Sequence, residues 1–302
     1  MSLQRRTFLV LVASFFFAGW SCSDPMATAE NAPPPSAATV VDDTLDDNVI
    51  LAPDLADGVK KDVPYVPTPQ PVVEKMLAMA NLSGDELLYD LGSGDGRIVI
   101  TAAQKYGVRG VGIDIDPQRI EEANEGARRA RVTDKVKFIE ADLFDTDLRP
   151  VTALTLYLLS SVNLRLRPKI LDELRPGTPV VSHDFSMGEW EPDEHVTMDR
   201  SEIFLWIVPA KVDGTWRWRV QGENQDRSAR IVQEFQKIQG EVSNAQVTEA
   251  SLRGDQIAFT IRENRGGRQS IHKYQGQVSG DTIDGTAEID GARQKWSARK
   301  AG

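Results

Sequence analysis

The rhythm of apolar and polar positions changes along this chain and divides it. Residues 8–20 are an almost unbroken apolar run behind a basic pair, and residues 27–63 hold no period at all. From residue 64 to 209, short apolar runs alternate with stretches whose apolar positions recur at helical spacing. Beyond residue 210 the pattern becomes in-out alternation in short segments separated by Gly-Asp or Gly-Gly turns.

The third stretch predicts a specific order of elements. A proline-rich entry at "PYVPTPQP" leads into a helical stripe of Val72, Val73, Met76, Leu77 and Met79, closed by a turn at 83–85. Strands are expected at 87–91, 109–115, 135–141, 153–159 and 179–185, and helices at 98–105, 118–130 and 166–174. Strands joined through helical segments imply right-handed crossovers, a parallel sheet and helices on both faces, hence a doubly wound α/β (Rossmann-like) domain. The last stretch predicts a small antiparallel β sandwich or barrel, with Trp216, Trp218, Phe235, Phe259, Tyr274 and Trp296 in its core. A faint repeat, "LRGDQI" against "VSGDTI", marks two equivalent turns there.

The beginning of the chain reads as an export signal. Arg5 and Arg6 precede Thr7 and Phe8 as in a twin-arginine leader, and the apolar run is too short to span a bilayer comfortably. Cys22 stands where a bacterial lipoprotein is cut and acylated, although Gly19, Trp20 and Ser21 depart from the usual pattern before such a cysteine. The expected organisation is therefore an export signal over 1–26, a mobile linker over 27–63, an α/β domain over 64–209 and a β domain over 210–302. The expected location is periplasmic or membrane-anchored through a lipid on Cys22, with the cytoplasm as the alternative.

Charge and cysteine content narrow the chemistry. The chain of 302 residues has 45 acidic against 35 basic side chains, and the net charge of -10 comes with no basic stripe, which argues against a nucleic-acid partner. A single cysteine rules out an intramolecular disulfide and a cysteine-based metal site, and no metal is assigned.

In open α/β sheets ligands sit beyond the carboxyl ends of the strands. The first strand ends in Asp90 and runs into Gly92-Ser93-Gly94-Asp95-Gly96, a turn that lets backbone approach a ligand. Arg97 and Ile98 follow where a phosphate loop needs Lys and Ser or Thr, and the glycine spacing is not the dinucleotide one, which disfavours an oxidoreductase. A tight turn without a ligand also suits these glycines. Asp114, about 20 positions on at the tip of the second strand, suits a ribose diol; Asp116 suits a helix cap before Pro117. Asp142, at the tip of the third strand, suits an adenine amino group. Together the tips fit an adenine nucleoside without phosphate.

With those residues in order, the stretch from 64 to about 190 resembles the seven-strand class I S-adenosylmethionine-dependent methyltransferases. "PYVPTP" combined with "DLGSGDGRIVI" resembles, more narrowly, the lysine methyltransferases whose mitochondrial members modify the c-ring protein of ATP synthase and the adenine nucleotide translocase. Where that family commonly has Glu-Asn-Pro after the second strand, this chain has Asp114-Ile115-Asp116-Pro117. The resemblance implies S-adenosylmethionine as cofactor, held by Tyr65, Thr68, Asp90, Gly92, Gly94, Gly96, Asp114 and Asp142, and methyl transfer to lysine in a protein. Tyr65 and Asn163 become the catalytic candidates. Tyr157, His183 and Asp184 are further candidates for the acceptor wall, each with a plain packing role as its alternative, and Asn163 has the alternative of capping the following helix. The leader keeps one other function open, an exported scaffold that has kept the fold without the reaction.

Overall fold

The computed structural model describes residues 65–301 apart from 223–225, 243–244 and 266. The export signal, Cys22, the linker and Pro64 lie outside the described residues. Among the described residues no helix is long and apolar enough to cross a membrane.

Helix α1 (Gln70–Met79) starts immediately behind Pro69, with Pro71 in its first turn, where a missing N–H costs nothing. The sheet then builds outward from β1 (Leu87–Leu91) through α2 (Arg97–Tyr106), β2 (Arg109–Asp114), α3 (Pro117–Ala130) and β3 (Val136–Glu140). It returns past the first strand with β4 (Ala153–Leu156), α4 (Ser160–Glu173) and β5 (Pro179–His183). β1, β2, β3, β4 and β5 are parallel, as the sequence pattern requires.

Two strands go beyond the expectation. β6 (Glu194–Met198) and β7 (Ser201–Ile207) form a hairpin that adds to β5 antiparallel, giving a seven-stranded sheet in the order β3-β2-β1-β4-β5-β7-β6. β6 is an edge strand with a largely polar sequence, so its apolar signal is weak.

Period-two alternation divides the sheet between two cores. Leu88, Val181, Ile203 and Leu205 face α1, α2 and α3. Leu91, Val180 and Trp206 face the opposite side, which is covered by α4 and by the loop residues Leu148, Val151, Met187 and Trp190. α4 begins well before the expected residue 166 and carries Pro168 inside it.

β8 (Gly214–Val220), β9 (Arg227–Glu234), β10 (Lys237–Val242), β11 (Ala245–Arg253), β12 (Gln256–Arg265), β13 (Arg268–Ser279), β14 (Thr282–Ile289) and β15 (Ala292–Lys300) close into one antiparallel up-and-down barrel, β15 pairing back onto β8. The repeated Gly-Asp turns join β11 to β12 and β13 to β14. Gly276 and Gly285 face each other across β13 and β14, where a Cβ on Gly285 would lie 1.9 Å from a backbone oxygen. Trp216, Trp218, Phe259, Tyr274 and Trp296 fill the interior and leave a cavity of about 20 Å³, roughly the room of one water, so the barrel is a packed core.

Phe235 departs from the expectation. It sits at the β9–β10 turn with φ 53° and stacks on Trp190 of the α/β domain at 6.1 Å, with the Arg167 guanidinium 5.2 Å from its ring. The barrel is thereby fastened to the helix-poor face of the sheet. Lys237–Glu191 at 2.6 Å and Arg253–Asp193 at 3.7 Å add surface ion pairs of small individual worth.

Candidate functional site

The turn after β1 is built for shape. Gly92, Gly94 and Gly96 have φ of 76°, 52° and 75°, all in the left-handed region that other residues adopt at a cost. A Cβ on Gly92 would meet Leu158 at 2.7 Å, on Gly94 the Tyr65 ring at 2.5 Å, and on Gly96 the Phe138 ring at 2.5 Å. The space these glycines spare is therefore filled by protein side chains. Their N–H groups are also engaged: Gly92 and Ser93 donate to Ile113 O, Gly94 to Asp114 Oδ2 at 2.8 Å, and Gly96 to Ser93 O. The expectation that loop N–H groups face a ligand is corrected here, and the physical reason fits the chemistry. A loop that turns these N–H groups inward is no phosphate nest.

Asp114 ties the loop to the second strand tip. Its two oxygens accept from Gly94 N at 2.8 Å and Asp116 N at 3.0 Å, which leaves acceptor capacity on both for a pair of hydroxyls. Asp116 caps α3 by accepting from Gln118 N at 3.0 Å, as its position before Pro117 predicts. Asp142 is exposed beyond β3, and its Oδ1 accepts from Phe144 N at 2.8 Å. These donors and acceptors fit an adenosine group without phosphate.

Asp90 is buried beneath the loop and accepts from Thr155 Oγ1 at 2.7 Å. Burial pushes its carboxyl up to about 7, against the pull of the Thr155 bond and with added repulsion from Asp114 and Asp95.

The entry segment crosses the strand ends as a strap. Tyr65, 44% exposed, lies against Gly94 with the Arg119 guanidinium 4.5 Å from its ring centre. Thr68 is buried, its hydroxyl 3.2 Å from His183 Nδ1, and its carbonyl accepts from Arg97 Nη1 at 2.9 Å. Arg97 also clasps Asp95 at 2.6 Å. Burial would raise the Asp95 carboxyl, but the guanidinium outweighs it and holds the group below its ordinary range. Sequence reasoning passed over Arg97, Thr155, Leu158 and Phe138. Arg97 carried a readable signal, since a cation in the first turn opposes the helix dipole and so implies another partner.

At the ends of β4 and β5 stand the acceptor candidates. Tyr157 lies on His183 with ring centres 3.9 Å apart and donates to Asp184 Oδ2 at 3.3 Å. Burial, then the Asp184 charge, pushes its phenol up to about 12. His183 is buried between Thr68 and Ser201 Oγ, the latter 2.9 Å from Nε2, and burial lowers its pKa, so it stays neutral. Asn163 is inside α4, fully buried, and caps nothing; its Nδ2 donates to Ser182 Oγ at 3.2 Å and Phe185 O at 3.0 Å. The N-cap of α4 is Leu159, so the capping alternative is replaced by a brace on the turn that carries Asp184. The structure thus brings Tyr65, Thr68, the glycine turn, Asp114 and Asp90 together at the carboxyl ends of the strands, with Asp142 beyond β3 and Asn163 behind the turn after β5.

Comparison with known proteins accords with this geometry. The ANTKMT methyltransferase domain family matches residues 90–194. A protein-lysine N-methyltransferase of Saccharolobus islandicus is 41% identical over 151 residues, covering 48% of this chain and 94% of that protein. The adenine nucleotide translocase lysine N-methyltransferase of Mus musculus is 32% identical over 161 residues, covering 53% of this chain and 64% of that protein. Among solved structures, an RNA methyltransferase from Salinibacter ruber in complex with S-adenosyl-L-homocysteine is 52% identical, with a TM-score of 0.48, covering 49% of this chain and 96% of that one. The chain belongs to the protein-lysine N-methyltransferase family and is a methyltransferase that uses S-adenosylmethionine.

Proposed function

We propose that this enzyme methylates lysine side chains of a protein acceptor, with Tyr65, Thr68, Asp90, Gly92, Gly94, Gly96, Asp114 and Asp142 on the cofactor side and the ends of β4 and β5 on the acceptor side. The observation that carries this reading is the strap. The Thr68–His183 hydrogen bond fastens the entry segment to the end of β5, and Tyr65 then lies over Gly94 near β1. Cofactor residues and acceptor residues are thereby set at one edge of the sheet.

When bound, S-adenosylmethionine supplies a methyl group already activated by a sulfonium leaving group. The protein's task is then to hold, align and dry the reacting groups. The remaining lone pairs of Asp114 would accept the ribose hydroxyls, and the second oxygen of Asp142 would accept from the adenine amine. Tyr65 covers the glycine turn from solvent. On the acceptor side Tyr157, neutral His183 and Phe185 would line the approach of the lysine side chain. The lysine methyltransferases similar to this chain are named as enzymes, and nothing in them favours the non-catalytic scaffold.

The leader supports an exported enzyme, tethered through Cys22 with residues 27–63 as its reach. Cell fractionation of the full chain beside Arg5→Lys/Arg6→Lys and Cys22→Ser variants tests this; a cytosolic wild type removes it.

The deciding test of function is calorimetric titration of S-adenosylmethionine into wild type and Asp114→Ala, followed by mass spectrometry of lysine-bearing acceptors. The expected outcome is binding by the wild type, loss of that binding in the variant, and a gain of one or more methyl masses on lysine. A folded wild type that binds no cofactor, or that binds it and modifies only residues other than lysine, defeats the reading.

A further inference from the structure

We infer that Asp184 is the carboxylate that receives the ammonium of the substrate lysine, an assignment that rests on the lysine reading above. Asp184 directly follows β5 with φ 60°, a left-handed conformation uncommon for a residue with a Cβ and found where surroundings over-determine it. Here they do. Asp184 N donates to Glu202 O at 2.7 Å, Glu202 N returns a bond to Asp184 Oδ1 at 2.9 Å, and Tyr157 OH donates to Oδ2 at 3.3 Å. Asn163 braces the same turn through Phe185 O, a bond made alongside that from Ser182 Oγ at 2.7 Å.

The result is a carboxylate fixed in direction and still 30% exposed. Among the described residues no lysine or arginine pairs with it. Among the described residues the basic group paired with it is His183 Nε2 at 3.4 Å, on a ring that burial keeps neutral. Two bonds leave about half of the acceptor capacity of a carboxylate open. The faces of Tyr157 and Phe185, 6.2 Å apart, stand beside it and favour a cation with an alkyl stem.

The strand order β1-β4-β5 places Asp184 two strands from the glycine turn, about 10 Å at the usual strand spacing. Leu158, next to Tyr157, packs over Gly92 between them. A lysine approaching along the strand ends from the β5 side meets Asp184 before it meets the cofactor residues. Before the reaction the ammonium held by the carboxylate gives one proton to water, so R–NH3+ becomes R–NH2. The nitrogen lone pair then forms the N–C bond as the C–S bond breaks with its electron pair left on sulfur. The positive charge passes to the methylated nitrogen.

Asp184→Asn is the informative change, because asparagine tolerates the left-handed conformation and can still accept from Glu202 N. The full chain and this variant are compared with S-adenosylmethionine and a library of synthetic lysine-centred peptides. A matched peptide carrying an aminooxy side chain, neutral at the assay pH, replaces lysine in a parallel arm. The expected result is unchanged cofactor affinity, a rise in KM for lysine peptides of roughly tenfold to a hundredfold, as for loss of a charge-assisted hydrogen bond, and little change for the neutral acceptor. An unchanged KM for lysine, or an equal loss with both acceptors, overturns the assignment and leaves the lysine reading standing. A wild type that binds cofactor and methylates no lysine peptide overturns both.

Discussion

Gly94 and Gly96 differ in what surrounds the missing Cβ, and alanine at each position separates backbone strain from packing. Both residues are left-handed, at φ 52° and 75°, so either alanine meets a conformational cost of about 1–2 kcal/mol. At Gly96 the new Cβ lies 2.5 Å from two atoms of the Phe138 ring and 2.9 Å from Ala123 Cβ. Both neighbours are buried between α3 and the sheet, so nothing yields cheaply, and overpacking adds about 1–3 kcal/mol. At Gly94 the Cβ meets Tyr65, which is 44% exposed and can swing into solvent. Gly94→Ala therefore costs stability only the backbone share but lifts the tyrosine from the turn. Urea denaturation should give a loss of about 2–5 kcal/mol for Gly96→Ala and about 1–2 kcal/mol for Gly94→Ala. Cofactor titration should show weaker binding in Gly94→Ala despite its smaller loss of stability. Trimming the obstacle with Phe138→Leu should recover part of the Gly96→Ala loss. Equal destabilisation by the two alanines, or no recovery in the double variant, would refute the reasoning.

Further outcomes follow from the same structure. Because burial raises Asp90 to about 7 in the fold, its contribution to stability is fully present below the ordinary carboxyl range and is lost as pH climbs through 7. The whole change is roughly 4 kcal/mol, so the melting temperature of the cofactor-free protein should fall between pH 5 and pH 8, and Asp90→Asn should flatten that slope. Thr68→Val keeps the volume and removes the bond to His183. It should cost about 1 kcal/mol in denaturation and raise the KM for cofactor several-fold, because the strap loses its fastening. Trp206→Phe keeps an aromatic ring but leaves Trp190 O without its 2.7 Å donor. That loss should appear as about 1–3 kcal/mol in urea denaturation and as faster proteolysis near the barrel junction, where Trp190 carries Phe235.

Much of this protein is legible one residue at a time. The spacing of apolar positions determined the alternation of strand and helix through β5 and the antiparallel grammar of the barrel, because periods of 3.6 and 2 are local properties of a backbone that must bury one face. The glycine turn, Asp114 and Asp142 were readable for a related reason: the carboxyl ends of parallel strands all lie on one edge of the sheet, so residues that follow successive strands gather there. Phe235 was misplaced because an aromatic at a hairpin turn carries no signal of which core it will enter.

Only the tertiary structure decided the rest. The glycine N–H groups turned out to be spoken for by Ile113, Asp114 and Ser93, a matter of pairing that spacing cannot express. The Thr68–His183 bond joins residues far apart in sequence, and the fixed direction of Asp184 comes from β7 and Tyr157 together. By itself the sequence determined which residues stand at the strand ends and hence the class of cofactor. How those residues pair, which of them remain open to a substrate, and which face of the sheet the barrel covers depend on contacts made only once the chain has closed, because hydrogen-bond partners and packing neighbours are set by distance in space and not along the chain.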